Sequence, residues 1–225
     1  MNQIDVGTLN RLKTLDSATV FNAIAEVQGK ANEDYTGPEI KCLLPELGTI
    51  VGFAITAEAT PLDPTPPDLS WDDFYDHLND TPGPMITVMK DSDDRPNRGA
   101  IFGDGMAHSQ KALGVVGAVV DGCVRDITGI RSAGFPIFGT GLVPGHGPFH
   151  LRSFRETIIV GQVSISNGDL LFGDMDGVVK IPTDIVEDVL KVAGEIRARE
   201  SKYFHICDAP DFDYKNVKAW KESLK

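Results

Sequence analysis

The sequence predicts an α/β domain: a mixed sheet, or a pair of sheets, with helices outside. Three observations carry this. The run "VVGAVVDG" (115–122) is apolar on both alternating sets of positions, as a strand buried on both faces requires. Around it, helical and strand patterns alternate from 104 to 142, which favours a parallel arrangement. From 157 the pattern changes to short β-rich segments broken by Asn-Gly-Asp and Asp-x-Asp-Gly turns, followed by one long helical pattern.

Taken in order, "LDSATVFNAIAEVQG" reads as a helix. Asp16 or Ser17 can cap it, Val20, Ile24 and Val27 recur on one face, and Gly29 closes it. The turn-rich "NEDYTGPEIKCLLPELG" leads to "TIVGFAITAEA", a strand by its β-branched and aromatic content, with Gly52 where another backbone can approach. The prolines of "TPLDPTPPDLS" make it a loop. Ser70 can cap a short helix in "WDDFYDHLND", with Asp72 and Asp73 in its first turn. "GPMITVMK" predicts a strand and "DSDDRPNRG" an exposed acidic connection. "GDGMAHSQKALG" is a glycine-led turn into a helix whose small residues Gly105, Ala107 and Ser109 let its start lie close to something else. After the strand at 115, "VRDITGIRSAGF" is a short helix closed by Gly134, and "PIFGTG" is a strand. Thr183 is a fair cap, and Asp184 suits the first turn, of a long helix over "TDIVEDVLKVAGEIRARESKYF". The remaining "HICDAPDFDYKNVKAWKESLK" predicts a peripheral arm.

With 225 residues the chain suits a single domain with one substantial core. Its 33 Asp and Glu against 21 Lys and Arg leave a net charge of -12, and no basic run is segregated. Such a surface repels a nucleic-acid backbone. An anionic small molecule then needs a locally positive pocket, which turns attention to the arginines. No apolar run reaches the roughly eighteen residues of a membrane span, and "MNQIDVGTLNRLKTL" lacks the apolar core of a signal peptide. The expectations are a cytoplasmic protein with no membrane and no nucleic-acid partner. Cys42, Cys123 and Cys207 form no CxxC pair, which argues against a zinc knuckle and a disulfide scaffold and leaves Cys123 as a small packing residue.

The buried strand ends in charge: Asp121, then Arg125 and Asp126. A parallel strand delivers its C-terminal end to the ligand side of a sheet. Gly122 permits a tight turn there, and Arg125 and Asp126 fall at the start of the next helix, where free N–H groups favour an anion. A guanidinium grips a carboxylate with two hydrogen bonds, and a neighbouring carboxylate can hold a hard divalent ion. "GDG" at 103–105 adds a second component: Asp104 between two glycines, followed by the amides of Gly105, Met106 and Ala107 at a helix start. The plainer readings stand beside these. Asp121 can be a turn or capping acid, Arg125 and Asp126 a surface ion pair, and Gly-Asp-Gly a common turn. No glycine pattern here matches a phosphate loop or GxGxxG. Asp174 and Asp176 in "GDMDG" lack the other ligands of a calcium loop and read as a β-turn. His108, His146 and His150 carry no metal signature, and His108 falls one turn into the helix beside the expected site.

The stretch "GDGMAHSQKALGVVGAVVDGCVRDITGIRSAGFPIFGTGLVP" resembles the RraA-like proteins, which include class II 4-hydroxy-4-methyl-2-oxoglutarate/4-carboxy-4-hydroxy-2-oxoadipate aldolases. The shared pattern is a glycine-acidic pair, G-x-V-x-D-G, x-R-D and an F-P-I-F segment. "NGDLLFGDMDGVVKIP" matches further elements, with Asn167 where proline is common. The resemblance covers about residues 12 to 202. It implies a single RraA-like domain over 1–225, with 203–225 as a C-terminal extension.

The fold implied is an α-β-β-α sandwich resembling the swivelling phosphohistidine domain, assembled as a homotrimer or stacked homohexamer with sites between neighbours. The activity implied is a Mg2+- or Mn2+-dependent lyase acting on a small 2-oxo acid to release pyruvate, with oxaloacetate decarboxylation alongside. Carried over, Arg125 binds the pyruvoyl portion and steadies its enolate, Asp126 holds the metal largely through water, and Asp104 hydrogen-bonds metal-bound water. Gly105, Met106 and Ala107 offer amides to the substrate carboxylate. Glu200, or Glu195 on the same helix, reaches the site from a neighbour. Asp121 and His108 stand behind these groups. The segments "PLDPTPPDLSWDDFYDHLND", "KDSDDRPNRG" and "GLVPGHGPFH" and the C-terminal end depart from the common pattern, which bears on substrate choice. The family also holds non-catalytic regulators that bind an RNA-degrading enzyme, the alternative reading. A phosphotransfer domain would need an exposed histidine, His108 or His146, and neither has a supporting motif.

Overall fold

The apolar run at 115 forms the middle of a nine-stranded mixed sheet. The computed structural model describes residues 4–67 and 69–224. Its elements, in chain order, are α1 (Val6–Leu12), α2 (Ser17–Gln28), β1 (Lys41–Cys42), β2 (Ile50–Thr60), α3 (Trp71–Asp80), β3 (Met85–Asp91), β4 (Ala100–Phe102), α4 (Asp104–Ala112) and β5 (Val115–Val124). They continue as α5 (Ile127–Ala133), β6 (Ile137–Leu142), β7 (His150–Phe154), β8 (Ile158–Val160), β9 (Val163–Ile165), β10 (Leu170–Asp174), β11 (Gly177–Ile181), α6 (Val186–Cys207) and α7 (Tyr214–Glu222). Strands lie in the order β1-β6-β5-β3-β2-β10-β11. The central neighbours β6, β5, β3 and β2 are parallel, whereas β1 and the β10–β11 hairpin pair antiparallel at the two edges. The fold is therefore mixed α/β, as the alternation at 104–142 and the turn-rich tail together require.

Alternation along β2 sorts the core. Val51, Phe53, Ile55 and Ala57 point into apolar clusters shared with helices, whereas Ile50 and Ala54 point to the other face, where the separate β8–β9 hairpin packs through Ile158, Val160, Val163 and Ile165. Close backbone approach occurs where Gly52 suggested it: a Cβ there would lie 2.9 Å from the carbonyl oxygen of Pro84.

Local signals explain the helix bounds. Asp16 caps α2 by accepting from the Thr19 N–H, and Gly29 ends it in the left-handed region at φ 64°. Ser70 and Asp73 form a reciprocal capping box on α3. Buried Asp174 accepts from the N–H and hydroxyl of Ser17 at 2.7 and 2.8 Å, so the β10–β11 turn also anchors the start of α2.

Several elements differ from the sequence expectation, among them α6, α1, β4 and β7. Thr183 caps nothing: the chain first tightens into a 3₁₀ turn over Thr183–Ile185, and α6 starts from Ile185 without a side-chain cap. The helix α1, capped by Asp5, is held by burying Leu9 and Leu12 against α2 and α6 rather than by any long periodicity. The strands β4 and β7 are too short to show a pattern. The first pairs with the end of β5 (Ala100↔Cys123, Phe102↔Val124), the second with the far half of β2.

Candidate active site

Because β4 and β5 run parallel and end together, their two exits meet. After β4 the chain turns at Gly103 into α4; after β5 it turns at Arg125 and Asp126 into α5. The Arg125 N–H donates to the carbonyl of Phe102 at 2.9 Å, fastening one exit to the other. Arg125 Nε lies 3.1 Å from Asp126 Oδ2, and the two side chains are 38% and 42% exposed. Asp126 sits in the left-handed region (φ 58°, ψ 37°), which aspartate tolerates better than most residues. Its carbonyl accepts the Ile130 N–H at 3.0 Å, while its carboxylate caps no helix amide. A Cβ on Gly103 would lie 3.2 Å from Asp126 Oδ2, so the turn into α4 passes directly against the ion pair.

The amide clamp differs by one residue from the sequence expectation. The Ala107 N–H is committed to the carbonyl of Gly103 at 3.1 Å, and Ala107 is buried. The amides without an intrahelical carbonyl are those of Asp104, Gly105 and Met106, the first three residues of α4. Gly105 is exposed and Met106 half-buried. The Asp104 carboxylate packs over Gly129 of α5.

Arg125, Asp126, Asp104, Gly105 and Met106 line one cavity of 280 Å³, with Ala100 and Phe102 as its apolar floor. His146 and Phe149 complete it from the segment between β6 and β7. The sequence weighs His146 only for a metal signature and for phosphotransfer and does not point to Phe149 or Gly129 as site residues; for His146 and Phe149 the unusual "GLVPGHGPFH" is the available signal.

Three expected residues lie elsewhere. β5 continues past Asp121 to Val124, and Asp121 shares the face of Val119, under the hairpin, where it accepts the Gly161 N–H at 3.1 Å. His108 is exposed on α4 and does not line the cavity. Glu200 lines a separate 500 Å³ cavity with Glu26, Arg199, Tyr203 and Trp220, between α2, α6 and α7. Behind the strand exits, burial pushes the Asp91 carboxyl up, opposed by N–H donation from Asn97 and Asp93 at 2.8 and 3.0 Å. Cys123 is buried beside the Asn97 carbonyl, in the packing role expected of it.

Among the described residues no group of three or more His, Cys, Asp or Glu side chains converges on a metal position. Asp126 and Asp104, both lining the cavity, offer carboxylate oxygens, the donor type that a hard divalent ion such as Mg2+ takes alongside water. They do not supply the closed nitrogen and sulfur shell of a structural zinc site.

Comparison with known proteins bears on the family and the fold. The family model RraA-like, Aldolase/RraA, matches residues 17–180. A Halalkalibacterium halodurans protein named "Putative 4-hydroxy-4-methyl-2-oxoglutarate aldolase" is 36% identical over 119 residues, 52% of this chain and 55% of that one. An uncharacterized protein of Methanocaldococcus jannaschii is 33% identical over 104 residues, 46% of this chain and 50% of that one. The chain thus spans about half the length of these two relatives. Among solved structures, Streptomyces coelicolor RraAS2, described as an unusual member of the RNase ES inhibitor RraA protein family, superposes with a TM-score of 0.71 at 22% identity, covering 90% of this chain and 98% of that one. That likeness shows the shared fold. With the Gly-Asp-Gly turn, the Val-Arg-Asp exit and the Phe-Pro-Ile-Phe strand all inside the matched span, the chain belongs to the RraA-like family.

Proposed function

We propose that the chain is a divalent-metal-dependent lyase that cleaves a 4-hydroxy-2-oxo acid to pyruvate and a carbonyl product, and that also decarboxylates oxaloacetate. The observation that supports this is the convergence of Arg125, Asp126, Asp104 and the free amides of α4 on one cavity.

The roles follow from chemistry. The amides of Asp104, Gly105 and Met106 receive the substrate carboxylate at the positive end of α4. The Arg125 guanidinium, steadied by Asp126, faces the 2-oxo oxygen and stabilises negative charge as it develops there. Asp126 would hold Mg2+ or Mn2+, largely through water, and Asp104 would orient that water. Such an ion, when bound, withdraws electron density from the 2-oxo group. Breaking C3–C4 leaves its electron pair conjugated with that group as the enolate of pyruvate. In oxaloacetate the departing fragment is carbon dioxide. Among the described residues of one subunit no lysine lines the cavity. Glu200 belongs to this site only across a subunit interface, and a homotrimer or homohexamer that would supply it is part of the proposal.

The test is pyruvate release from a panel of 4-hydroxy-2-oxo acids and oxaloacetate, with Mg2+, with Mn2+ and with chelator. Release that stops with chelator is the expected result. Silence across the panel from folded protein rejects the lyase and favours a non-catalytic binding role of the RraA regulator kind.

A further inference from the structure

Of the residues that line the cavity, those from Gly103 to Met106, with Arg125 and Asp126, belong to the two strand exits and the helix starts beyond them. What remains for the far end of a bound molecule is Ala100, Phe102, His146 and Phe149. All but the histidine are apolar. Ala100 and Phe102 are buried in β4. Phe149 comes from a different part of the chain and is held there. Its carbonyl accepts from Trp71 Nε1 at 3.3 Å. Its ring stacks on Trp71 with centroids 4.8 Å apart and planes 12° from parallel. It holds φ at 61°, an uncommon conformation for a bulky residue that a surrounding structure must enforce. Two residues before it, the Gly147 N–H donates to the carbonyl of Pro61 at 2.7 Å; two residues after it, Leu151 pairs with Ala59 of β2. Swinging the ring aside breaks the stack on Trp71, so Phe149 is a fixed boundary of the cavity.

Size and charge follow from that boundary. At 280 Å³ the cavity lies just below the roughly 300–1,000 Å³ usual for small-molecule sites, so a fixed wall limits what fits. Among the described residues of one subunit, Arg125 is the one lysine or arginine in the lining. An ionised carboxylate set against Ala100, Phe102 and Phe149 gives up water for no hydrogen bond, whereas a methyl group gains by leaving water.

We propose that Phe149 selects the substituent at C4 of the substrate, favouring a small uncharged group such as methyl over a second carboxylate. The role rests on the lyase reading above, in which Arg125 and the amides of α4 hold the pyruvoyl end. The favoured carbonyl product is then a short aldehyde or ketone. Cleavage of 4-hydroxy-2-oxopentanoate gives pyruvate and acetaldehyde; cleavage of its dicarboxylic counterpart, 4-hydroxy-2-oxoglutarate, gives pyruvate and glyoxylate.

The experiment measures kcat/KM for pyruvate release from these two acids with Mg2+ supplied, since they differ only by methyl against carboxylate at C4. The unchanged chain should favour the first by about tenfold or more. Phe149→Asn suits the left-handed backbone and brings an amide donor, so the ratio should move towards the dicarboxylic acid by about tenfold. Phe149→Leu loses the stack and keeps the surface apolar, so its ratio should stay near that of the unchanged chain. His146→Gln removes the one titratable side chain of the far end and should also leave the ratio where it was. Equal use of both acids, a preference for the dicarboxylic one, or a ratio that Phe149→Asn does not move overturns the assignment and leaves the lyase standing. A ratio that His146→Gln moves instead gives the selection to the histidine. Release from oxaloacetate alone overturns this role and leaves decarboxylation. An unchanged chain that releases pyruvate from neither hydroxy acid nor oxaloacetate overturns the lyase reading itself, and this role with it.

Discussion

Asp104 rests on Gly129. A Cβ at position 129 would lie 2.7 Å from the Asp104 Cβ and 2.9 Å from its carboxyl carbon, closer than packed side chains come. The contact joins the first turns of α4 and α5 and fixes where the Asp104 carboxylate sits relative to Asp126. Alanine in place of a helical glycine ordinarily stabilises by about 1 kcal/mol. Here Gly129→Ala must displace Asp104. The expected outcome is a roughly 10- to 100-fold fall in kcat/KM for pyruvate release, with the fold retained by circular dichroism. Full activity would show that the position of Asp104 does not matter.

Arg125 separates function from stability. Its ion pair with Asp126 is two-fifths exposed on both sides, and pairs of this kind contribute about 0–1 kcal/mol. Arg125→Ala should therefore leave chemical-denaturation stability within about 1 kcal/mol of the parent, while turnover of oxaloacetate falls on the order of 10²- to 10³-fold. Arg125→Lys keeps the charge and loses the two-pronged grip, so it should recover only part of the rate. Unchanged turnover in Arg125→Ala would remove the arginine from the mechanism.

Asp126 combines a charge with a left-handed backbone, and two substitutions divide these. Asn tolerates φ 58° and removes the charge, whereas Ala also strains the backbone by about 1–2 kcal/mol. Asp126→Asn should keep its thermal stability and lose binding of Mn2+ in a titration followed by calorimetry. Asp126→Ala should lose both. Metal binding that survives in Asp126→Asn would place the ion elsewhere.

Much of this was legible in sequence because its causes are local. Asp16 and Gly29 bracket α2 by capping and left-handed closure, and β5 announces itself by apolar alternation. Arg125 and Asp126 follow from β5 because they sit at its exit. What escaped depends on partners distant in the chain. The three residues of β4 have no period, yet their pairing with Cys123 and Val124 is what brings Gly103 to Arg125. Asp121 resembles a strand exit because it is the first charge after an apolar run; its real partner, the amide of Gly161, is 40 residues away on a hairpin. Ala107 differs by a single position because a helix start set one residue off changes which amides are free. Gly129 reads as any helical glycine until α4 is laid against it.

The clasp between α2 and α6 should show in the acid limb of stability. A hydrogen bond from Arg199, at 2.7 Å, holds the Glu26 carboxyl below the usual range, with slight burial opposing. The folded chain therefore keeps this carboxylate ionised to lower pH than the unfolded chain does. Its contribution is complete above the ordinary glutamate value and is lost as pH falls through the lower, folded one. Glu26→Gln should be slightly less stable than the parent at pH 6. The difference should close as pH falls through the acid range below about 4.5, measured by thermal unfolding at each pH. A difference that stays constant or widens would mean that the ion pair adds nothing to the fold.

Trp71 makes a prediction about the segment between β6 and β7, which lines the cavity through His146 and Phe149. Its indole stacks on Phe149 and donates to the Phe149 carbonyl, so one side chain on α3 secures the end of the segment nearest β7. Trp71→Phe keeps a ring for stacking and removes the donor, a net hydrogen bond worth about 0.5–1.5 kcal/mol. Trp71→Ala removes both. Neither touches Arg125, Asp126 or Asp104. Amide hydrogen exchange in 145–150 should accelerate modestly in the first variant and strongly in the second, while the amides of β5 exchange as before. Unchanged exchange would show that the backbone hydrogen bonds joining Val143 to Val124, Gly145 to Ala100 and Gly147 to Pro61 hold the segment without α3.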